Sequence, residues 1–257
     1  MRRWRLIPDG DAVTTDSSTL LPVRWREQTA MLKVAHIEEE QRGARQLAWW
    51  QGSGGAQVYA CDDEAVLLER AVGHSLRHLF DEGRSDEATT IICGVAARLH
   101  ALSRPPPTFL VPLQRWFQPL LEATPATAEQ QEAARTASAL LTGSVEPVPL
   151  HGDLHHDNVL DFGGGDWRAI DPKGLVGDRT FDLIHLLRNP DIHMSADLLD
   201  KRATQVSRES NVSPRHLLEW LVAFSGLSSI WAEAEGNSPD ANLGLLKQAL
   251  MLIAASR

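Results

Sequence analysis

Cysteine is nearly absent from this chain of 257 residues, and long apolar runs are missing. The two cysteines, Cys61 and Cys93, cannot form a disulfide framework and are typical of a protein in a reducing cytoplasm. Glutamate, serine and glycine interrupt the most apolar stretch, from Leu217 to Ile230, which argues against a membrane span. No apolar segment follows the basic N-terminal residues, so we expect no secretory signal.

Positive charge is also scarce. Acidic residues number 34 and basic residues 25, which gives a formal net charge of −9. A nucleic-acid-binding protein usually has the opposite balance, so we expect no nucleic-acid partner. An acidic surface suits a cationic substrate, although many acidic proteins are simply soluble. A phosphate-binding lysine must be chosen from Lys33, Lys173, Lys201 and Lys247, because the chain has no others.

Two phosphate-binding motifs are missing as well. The chain contains neither Gly-x-x-x-x-Gly-Lys-Ser/Thr nor Gly-x-Gly-x-x-Gly, and the first absence argues against a P-loop enzyme. A turn rich in hydroxyl groups, Thr-Thr-Asp-Ser-Ser at 14–18, lies between the first two expected strands. Its backbone N–H groups and hydroxyls, including those of Ser17 and Ser18, are candidates for covering phosphates.

What the chain does contain is a change of pattern near residue 70. Strand-like segments at 4–8, 19–25, 30–36, 57–60 and 65–69 surround one helical stretch at 38–51. From Ser75 onward helical patterns dominate, with a β interlude that begins at 148–151 and continues as a hairpin. We therefore predict an α+β fold with a small antiparallel sheet and one helix at 1–70. A mainly helical part at 71–257 carries the hairpin.

Capping residues mark several helix starts. Ser85 is a candidate cap for a helix that carries apolar residues with a 3.6-residue period. Thr127 and Gln130 have the spacing of a capping box. Three helices close the chain, starting near Ser195, Ser213 and Ser238.

The strongest chemical signal is His151-Gly-Asp153-Leu-His155-His-Asp-Asn158, followed by Asp171 at the end of the expected hairpin, whose strands are 158–162 and 167–171. Phosphoryl transfer requires a carboxylate that orients the attacking hydroxyl, and it requires oxygen ligands for magnesium. The hairpin returns Asp171 beside Asp153 and Asn158. The spacing predicts one catalytic base and two magnesium ligands in a kinase-like arrangement.

The same segment allows a different hypothesis, a zinc site in a hydrolase. His151, Asp153, His155, His156 and Asp157 are all zinc-ligand types. However, neighbouring histidines on an extended segment point to opposite faces, and Asn158 and Asp171 would have no function. A third interpretation is a polar loop whose aspartates cap turns.

Lys33 is the second anchor of the kinase hypothesis. It lies in the apolar run Met31-Leu-Lys-Val-Ala35, where a charge needs a partner or a ligand. The helix that follows offers glutamates at 38–40, and a strand lysine paired with a helix glutamate contacts nucleotide phosphates in kinases. The segment 67–71 joins the sheet to the helical part and could offer backbone groups to adenine. An edge-strand lysine that faces water is the alternative.

Together these residues resemble the aminoglycoside phosphotransferase and choline kinase superfamily, within it the streptomycin 6-phosphotransferase, or aminoglycoside/hydroxyurea resistance kinase, branch. The matching segments span nearly the whole chain: Met31–Ala35, Trp49-Trp50, His151–Asn158, Ile170–Gly177 and Arg179–Asp182. The resemblance implies a protein-kinase-like two-lobe fold that binds ATP and Mg²⁺ between the lobes.

The resemblance also implies roles for individual residues. Asp153 is the expected catalytic base, and Asn158 and Asp171 are the expected magnesium ligands. Nucleotide binding is expected from Lys33 with Glu40, from Ser17 and Ser18, and from the backbones of Glu69 and Ala71. His151 and Asp182 are expected to support the loop. Lys173 departs from the pattern. A cation close to the metal aspartate could weaken metal binding or touch phosphate, and a side chain that points to solvent is the alternative.

The implied acceptor is a hydroxyl of a cationic aminocyclitol, here streptomycin at its 6-hydroxyl. The candidates for contacting it lie mostly among the C-terminal helices: His155, Asp178, Asp182, Asp191, His193, Asp197 and Trp231. A kinase of hydroxyurea or of another small metabolite, and a nucleotide-binding pseudokinase, are the alternatives. We expect a monomer with no membrane partner.

Overall fold

An antiparallel sheet and one helix form the N-terminal part of the computed structural model, which describes residues 3–255. The elements in chain order are β1 (Ile7–Pro8), β2 (Val13–Thr14), β3 (Ser18–Trp25), β4 (Gln28–Ala35), α1 (Glu38–Trp50), β5 (Val58–Cys61) and β6 (Ala65–Glu69). The strand order is β1-β3-β4-β6-β5, and β2 pairs with β3. Lys33 lies on the central strand β4, between Leu20 of β3 and Val66 of β6.

Helix α1 starts with Glu38, Glu39 and Glu40, whose charges complement the positive end of the helix dipole. It ends at Gln51, which adopts a left-handed conformation with φ 53° and donates its N–H to the Leu47 carbonyl. Such a left-handed C-cap satisfies one of the last free carbonyls. The helix therefore lies where the sequence predicts it.

The rest of the chain is mainly helical, as predicted, and includes five short strands. The helices are α2 (Leu76–Asp81), α3 (Ser85–His100), α4 (Leu113–Trp116), α5 (Gln118–Glu122), α6 (Ala128–Thr142), α7 (Thr180–Leu183), α8 (His185–Arg188), α9 (Ala196–Ser210), α10 (Pro214–Ala234) and α11 (Asp240–Ala255). The strands are β7 (Val111–Pro112), β8 (Val148–Leu150), β9 (Val159–Asp161), β10 (Trp167–Ala169) and β11 (Leu175–Gly177).

Two small sheets position the chemistry-bearing loops. Strands β9 and β10 form the expected hairpin, in which Val159 pairs with Ala169. Strand β11 pairs antiparallel with β8 and parallel with β7, and the sequence patterns did not predict this sheet. As a result, the loop after β8 and the segment between β10 and β11 lie side by side.

The core has two clusters. The smaller one lies at the sheet and contains Val23, Leu32 and Leu67. The larger one surrounds α10, which packs against α6 and α11, and includes Phe181 and Trp220. No helix within residues 3–255 is long and apolar enough to cross a bilayer.

Several local expectations need correction. The expected strand at 4–8 pairs only at Ile7–Pro8, because Arg5 has a left-handed backbone (φ 54°) and interrupts the extended run. Ser85 is the first residue of α3 rather than its cap, and the cap position is held by Arg84. The capping box is confirmed, because Gln130 N–H donates to Thr127 and the Thr127 N–H donates to the Gln130 side chain.

Candidate active site

The loop that follows β8 is held by one buried carboxylate. The Asp182 side chain accepts the backbone N–H of His151 at 2.9 Å and that of Gly152 at 2.7 Å. It is also 2.7 Å from Nε2 of His100, at the end of α3. Burial would raise the pKa of Asp182, but His100, the nearby His151 and the Gly152 amide keep that pKa below its ordinary value. The ionised carboxylate fixes the first turn of the loop through these two contacts.

His151 connects this loop to the hairpin. Its Nε2 donates to the Ile170 carbonyl at 2.7 Å, so Nδ1 is left as the acceptor for the Asp153 N–H at 3.3 Å. Burial lowers the pKa of His151, and the ring is therefore neutral near pH 7. His151 thus connects the loop at 151–158, which we call the base loop after the predicted base Asp153, to the residue that precedes Asp171.

Asp153 is surrounded by histidines. Its Oδ2 lies 3.6 Å from Nε2 of His155, and its Oδ1 lies 3.6 Å from Nδ1 of His185. Burial would raise the pKa of Asp153, but the close contact with His155 and the electrostatic effects of the nearby His185 and His151 lower it well below its usual range. The carboxylate is therefore ionised at neutral pH and can accept a hydrogen bond from a hydroxyl.

Asn158 is oriented by the same loop. Its Nδ2 donates to the Asp153 carbonyl at 2.9 Å, which turns its Oδ1 away from the loop backbone. Its own carbonyl accepts the Ile170 N–H at 2.9 Å, one residue before Asp171. The backbone hydrogen bond thus brings Asn158 next to the residue that precedes Asp171, and amide and carboxylate oxygens are ligand types that Mg²⁺ accepts. The donor set fits a magnesium ion.

Lys33 joins the sheet to the hairpin side. Its Nζ forms ion pairs with Glu40 of α1 and with Oδ1 of Asp171. Asp171 has a left-handed backbone with φ 63°, a conformation that is uncommon for a residue other than glycine and concentrates at functional sites. Burial would raise the pKa of Asp171, but the ammonium group of Lys33 keeps it below the ordinary value. The predicted lysine, glutamate and metal aspartate form one cluster.

A cavity of about 530 Å³ lies between the sheet and the hairpin. This volume is in the range of small-molecule sites. Its apolar walls come from both sides, including Met31 and Leu68 of the sheet and Ile170 beyond the hairpin, and Lys33 and Asp171 lie at its charged end. All the predicted nucleotide residues line it: Ser17, Ser18, Lys33, Glu40, Glu69 and Ala71.

Two backbone features of this cavity suit a nucleotide. Ala71 lines the cavity, and its N–H has no acceptor among residues 3–255. In the turn before β3, Thr15 N–H donates to the Ser18 carbonyl at 2.8 Å and Thr15 Oγ1 accepts the Ser18 N–H at 3.1 Å. The turn is thus closed by its own hydrogen bonds and presents Ser17 and Ser18 to the cavity.

The structure does not bring the proposed zinc ligands together. His155 lies beside Asp153, whereas His156 is buried and packs edge-on against Phe80, with ring centroids 5.4 Å apart. Within residues 3–255 no group of three or more histidine, cysteine, aspartate and glutamate side chains is arranged to hold a metal ion. The adjacent histidines serve different regions of the protein.

The acceptor candidates are scattered. His155 lies in the loop, beside Asp153. Asp178 is buried and its carboxylate already accepts from His216, Trp220 and the Thr180 amide.

Asp182 holds the backbone of the loop, whereas the other candidates outside the loop make no hydrogen bond to it within residues 3–255. Asp191 and Asp197 are exposed, and Asp191 accepts the N–H of His193. Trp231 is half-buried and packs edge-on against Trp116. Within residues 3–255, no hydrogen bond or ion pair joins these residues or Asp178 to Asp153.

Three buried polar residues near the site escaped the sequence analysis. His185 faces Asp153, and burial lowers its pKa to about 4. Arg188, one turn later, donates to Ser228 and Asn242, and burial lowers its pKa to about 10. Gln46 of α1 is fully buried. A polar residue on the apolar face of an amphipathic helix was the available signal for Gln46.

A family model for aminoglycoside/hydroxyurea antibiotic resistance kinases matches residues 3–236. The chain belongs to this family. Among solved structures, a thermostable aminoglycoside phosphotransferase in a ternary complex with ADP and hygromycin B has a TM-score of 0.69 at 12% identity. The match covers 99% of this chain and 96% of that chain. It confirms the predicted α+β, protein-kinase-like two-lobe fold.

Relatives in sequence include two kinases of one antibiotic. The streptomycin 3''-kinase of Klebsiella pneumoniae is 46% identical over 244 residues, which cover 92% of this chain and 92% of that enzyme. The streptomycin 6-kinase of Streptomyces griseus is 34% identical over 194 residues, which cover 70% of this chain and 62% of that enzyme. The kinase prediction is thereby confirmed at the level of the family.

Proposed function

We propose that this resistance-kinase family member transfers the γ-phosphoryl group of ATP to a hydroxyl of streptomycin. The observation that carries the proposal is the cluster of Lys33, Glu40 and Asp171 at the charged end of the cavity, next to the Asp153–Asn158 loop. The kinship with two streptomycin kinases supports the acceptor. The net charge of −9 suits a cationic substrate.

In the proposed reaction Asp153 accepts a hydrogen bond from the substrate hydroxyl and then its proton. The acceptor oxygen forms a bond to the γ-phosphorus, the bond from that phosphorus to the β–γ bridging oxygen breaks, and ADP leaves with the electron pair. The ammonium group of Lys33 offsets charge on the phosphate oxygens. Asn158 and Asp171 would hold Mg²⁺, which supplies further charge stabilisation when bound.

The hydroxyl is a separate question, because the two named relatives phosphorylate different positions. The 6-hydroxyl stays the predicted position. We therefore propose to incubate the protein with ATP, Mg²⁺ and streptomycin and to map the phosphate in the product by mass spectrometry and phosphorus–proton correlation spectra. Phosphorylation at 3'' would refute the 6-hydroxyl assignment and leave the kinase proposal intact.

The same assay, run over other aminoglycosides, hydroxyurea and simple amino alcohols, separates the alternatives. Turnover of hydroxyurea alone would move the function to that substrate. Nucleotide binding without any phosphorylated product would favour a pseudokinase and would contradict the proposal. Expression in a sensitive bacterial strain, with the Asp153→Asn variant as control, tests the proposed role in resistance.

A further inference from the structure

One face of helix α1 is docked on the segment that carries Asp171. Glu39, Arg42, Gly43 and Gln46 follow the spacing i, i+3, i+4, i+7 and therefore lie on one side of the helix. The Nε of Arg42 donates to the Lys173 carbonyl at 3.4 Å. We call this side the docking face of α1.

Gly43 lets the helix come close. A Cβ atom at this position would lie 2.1 Å from the Pro172 carbonyl oxygen, a distance that only a shift of the backbone could relieve. Pro172 directly follows Asp171. The docking face therefore meets the segment 171–174, which we call the metal loop after the predicted metal ligand Asp171, backbone to backbone and with no side chain between them.

Gln46 lies at the centre of this contact, fully buried. Its Nε2 donates to the Leu150 carbonyl at 2.8 Å, immediately before the base loop. Its Oε1 accepts the Gly174 N–H at 3.0 Å, three residues after Asp171. One side-chain amide thus connects both loops, and it satisfies the N–H of the buried Gly174 and the carbonyl of the buried Leu150.

The charged edge of the docking face adds a second connection. Nζ of Lys173 lies 3.0 Å from the Glu39 carboxylate. The backbone N–H of Lys173 donates to the His151 carbonyl at 2.7 Å. Lys173, whose role the sequence left open, thus ties the metal loop to α1 and to the base loop.

We propose that the docking face of α1, with Gln46 at its centre, positions the Asp153 loop against the Asp171 loop. The inference rests on the proposed function and adds residues that act through others. Because Glu40 of the same helix holds Lys33, one helix fixes the phosphate lysine, the metal aspartate and the base in a single arrangement. Catalysis is sensitive to displacements of about 1 Å, which can cost about 10²-fold in rate.

The test compares Gln46→Met with Gln41→Met. Methionine keeps a similar length and removes both hydrogen bonds, whereas Gln41 lies in the same helix and its side chain makes no hydrogen bond within residues 3–255. Calorimetry measures ADP affinity with and without Mg²⁺. For Gln46→Met we expect the gain in affinity caused by Mg²⁺ to fall about tenfold, as for residues that support metal ligands. Metal-free ADP affinity stays within twofold.

Amide hydrogen exchange of the ligand-free protein gives a second reading. In Gln46→Met, segments 148–153 and 171–176 are expected to exchange at least tenfold faster, and in Gln41→Met both stay at the parent rate. A lowered melting temperature with an unchanged Mg²⁺ effect and unchanged exchange in both segments would mean a merely structural residue and would overturn the proposal.

If Gln46→Met does not fold, Glu39→Gln provides a second test. Glu39 lies at the half-buried edge of the docking face, so its substitution disturbs folding less. About a threefold loss of the Mg²⁺ effect is expected, and a parent value would overturn the proposal. Neither binding nor exchange requires an acceptor. If the parent protein phosphorylates none of the acceptors tested, the proposed function fails while the positioning role is still decided.

Discussion

The expected nucleotide side and the expected acceptor side of the site differ in how they are built. On the nucleotide side, Ser17, Lys33 and Glu69 come from distant parts of the chain and line one cavity. On the acceptor side, only His155 of the seven predicted contacts lies beside Asp153. Asp182 holds the loop backbone, Asp178 accepts core donors, Trp231 packs against Trp116, and the other three are exposed.

The difference follows from what each side must recognise. Phosphates and a metal demand a cation and oxygen ligands at fixed separations, and such residues stand out in a sequence. A small cationic acceptor is recognised by a shape assembled from several helices, in which any carboxylate or aromatic ring can serve. Four experiments examine this comparison.

The largest effect is expected for Asp153→Asn, the residue at which the two sides meet. The amide cannot take the proton of the acceptor hydroxyl, so we expect kcat to fall about 10³-fold. ADP affinity should stay at the parent value, because Asp153 does not line the cavity. Steady-state kinetics and calorimetry measure the two quantities. The neighbouring exposed Asp157→Asn is the control, and a variant at position 153 with more than a tenth of the parent rate contradicts the base assignment.

Lys33→Met tests the nucleotide side. The substitution removes the cation between Glu40 and Asp171 and leaves two part-buried carboxylates without their partner. We expect a loss in kcat/KM for ATP of about 10²-fold and a decrease of about 3 kcal/mol in the free energy of unfolding. Urea titration measures stability. Lys201→Met, an exposed lysine near Asp86, should behave like the parent, and equal behaviour of both variants would refute the role of Lys33.

The base loop also carries a buried residue, His156, whose effect on stability depends on pH. His156 faces the helical core, and burial lowers its pKa from 6.5 to about 4. Between about pH 4 and pH 6.5, His156 therefore binds a proton in the unfolded state and not in the folded state. Protonation of the unfolded state therefore does not lower the free energy of unfolding above about pH 6.5, and it lowers this free energy progressively as the pH falls towards 4.

We expect His156→Gln to flatten the fall in the free energy of unfolding over that window, by at most about 3 kcal/mol at 1.36 kcal/mol per pKa unit. Chemical unfolding at several pH values provides the measurement. His193→Gln, an exposed histidine, should keep the parent slope. A parallel curve for the variant at position 156 would show that its burial does not drive the pH dependence.

The smallest effects are expected on the acceptor side. Asp191→Asn and Asp197→Asn alter exposed carboxylates with no contact to the catalytic loop in residues 3–255. The KM for streptomycin should stay within twofold in both, as is usual for surface substitutions. A tenfold rise in either would extend the acceptor surface to the start of α9 and would remove the contrast between the two sides.

Much of the fold could be predicted from the chain alone. The capping box at Thr127, the serine caps at Ser195 and Ser213 and the hairpin around the glycine run at 163–165 all have local causes. The short helices α4, α5, α7 and α8 escaped prediction because four or five residues show no period. The sheet of β7, β8 and β11 escaped because its strands of two or three residues are paired by the folded chain around them.

The sequence by itself determined the kinase chemistry, because Lys33, Asp153, Asn158 and Asp171 are residue types that phosphoryl transfer requires, at spacings that a loop and a hairpin can bring together. Only the tertiary structure decided how these groups are held. Gln46, His100 and His185 belong to no motif, and the groups that they contact lie far away in the sequence. Their contacts exist because buried polar groups must find partners, and packing, rather than local pattern, selects which ones.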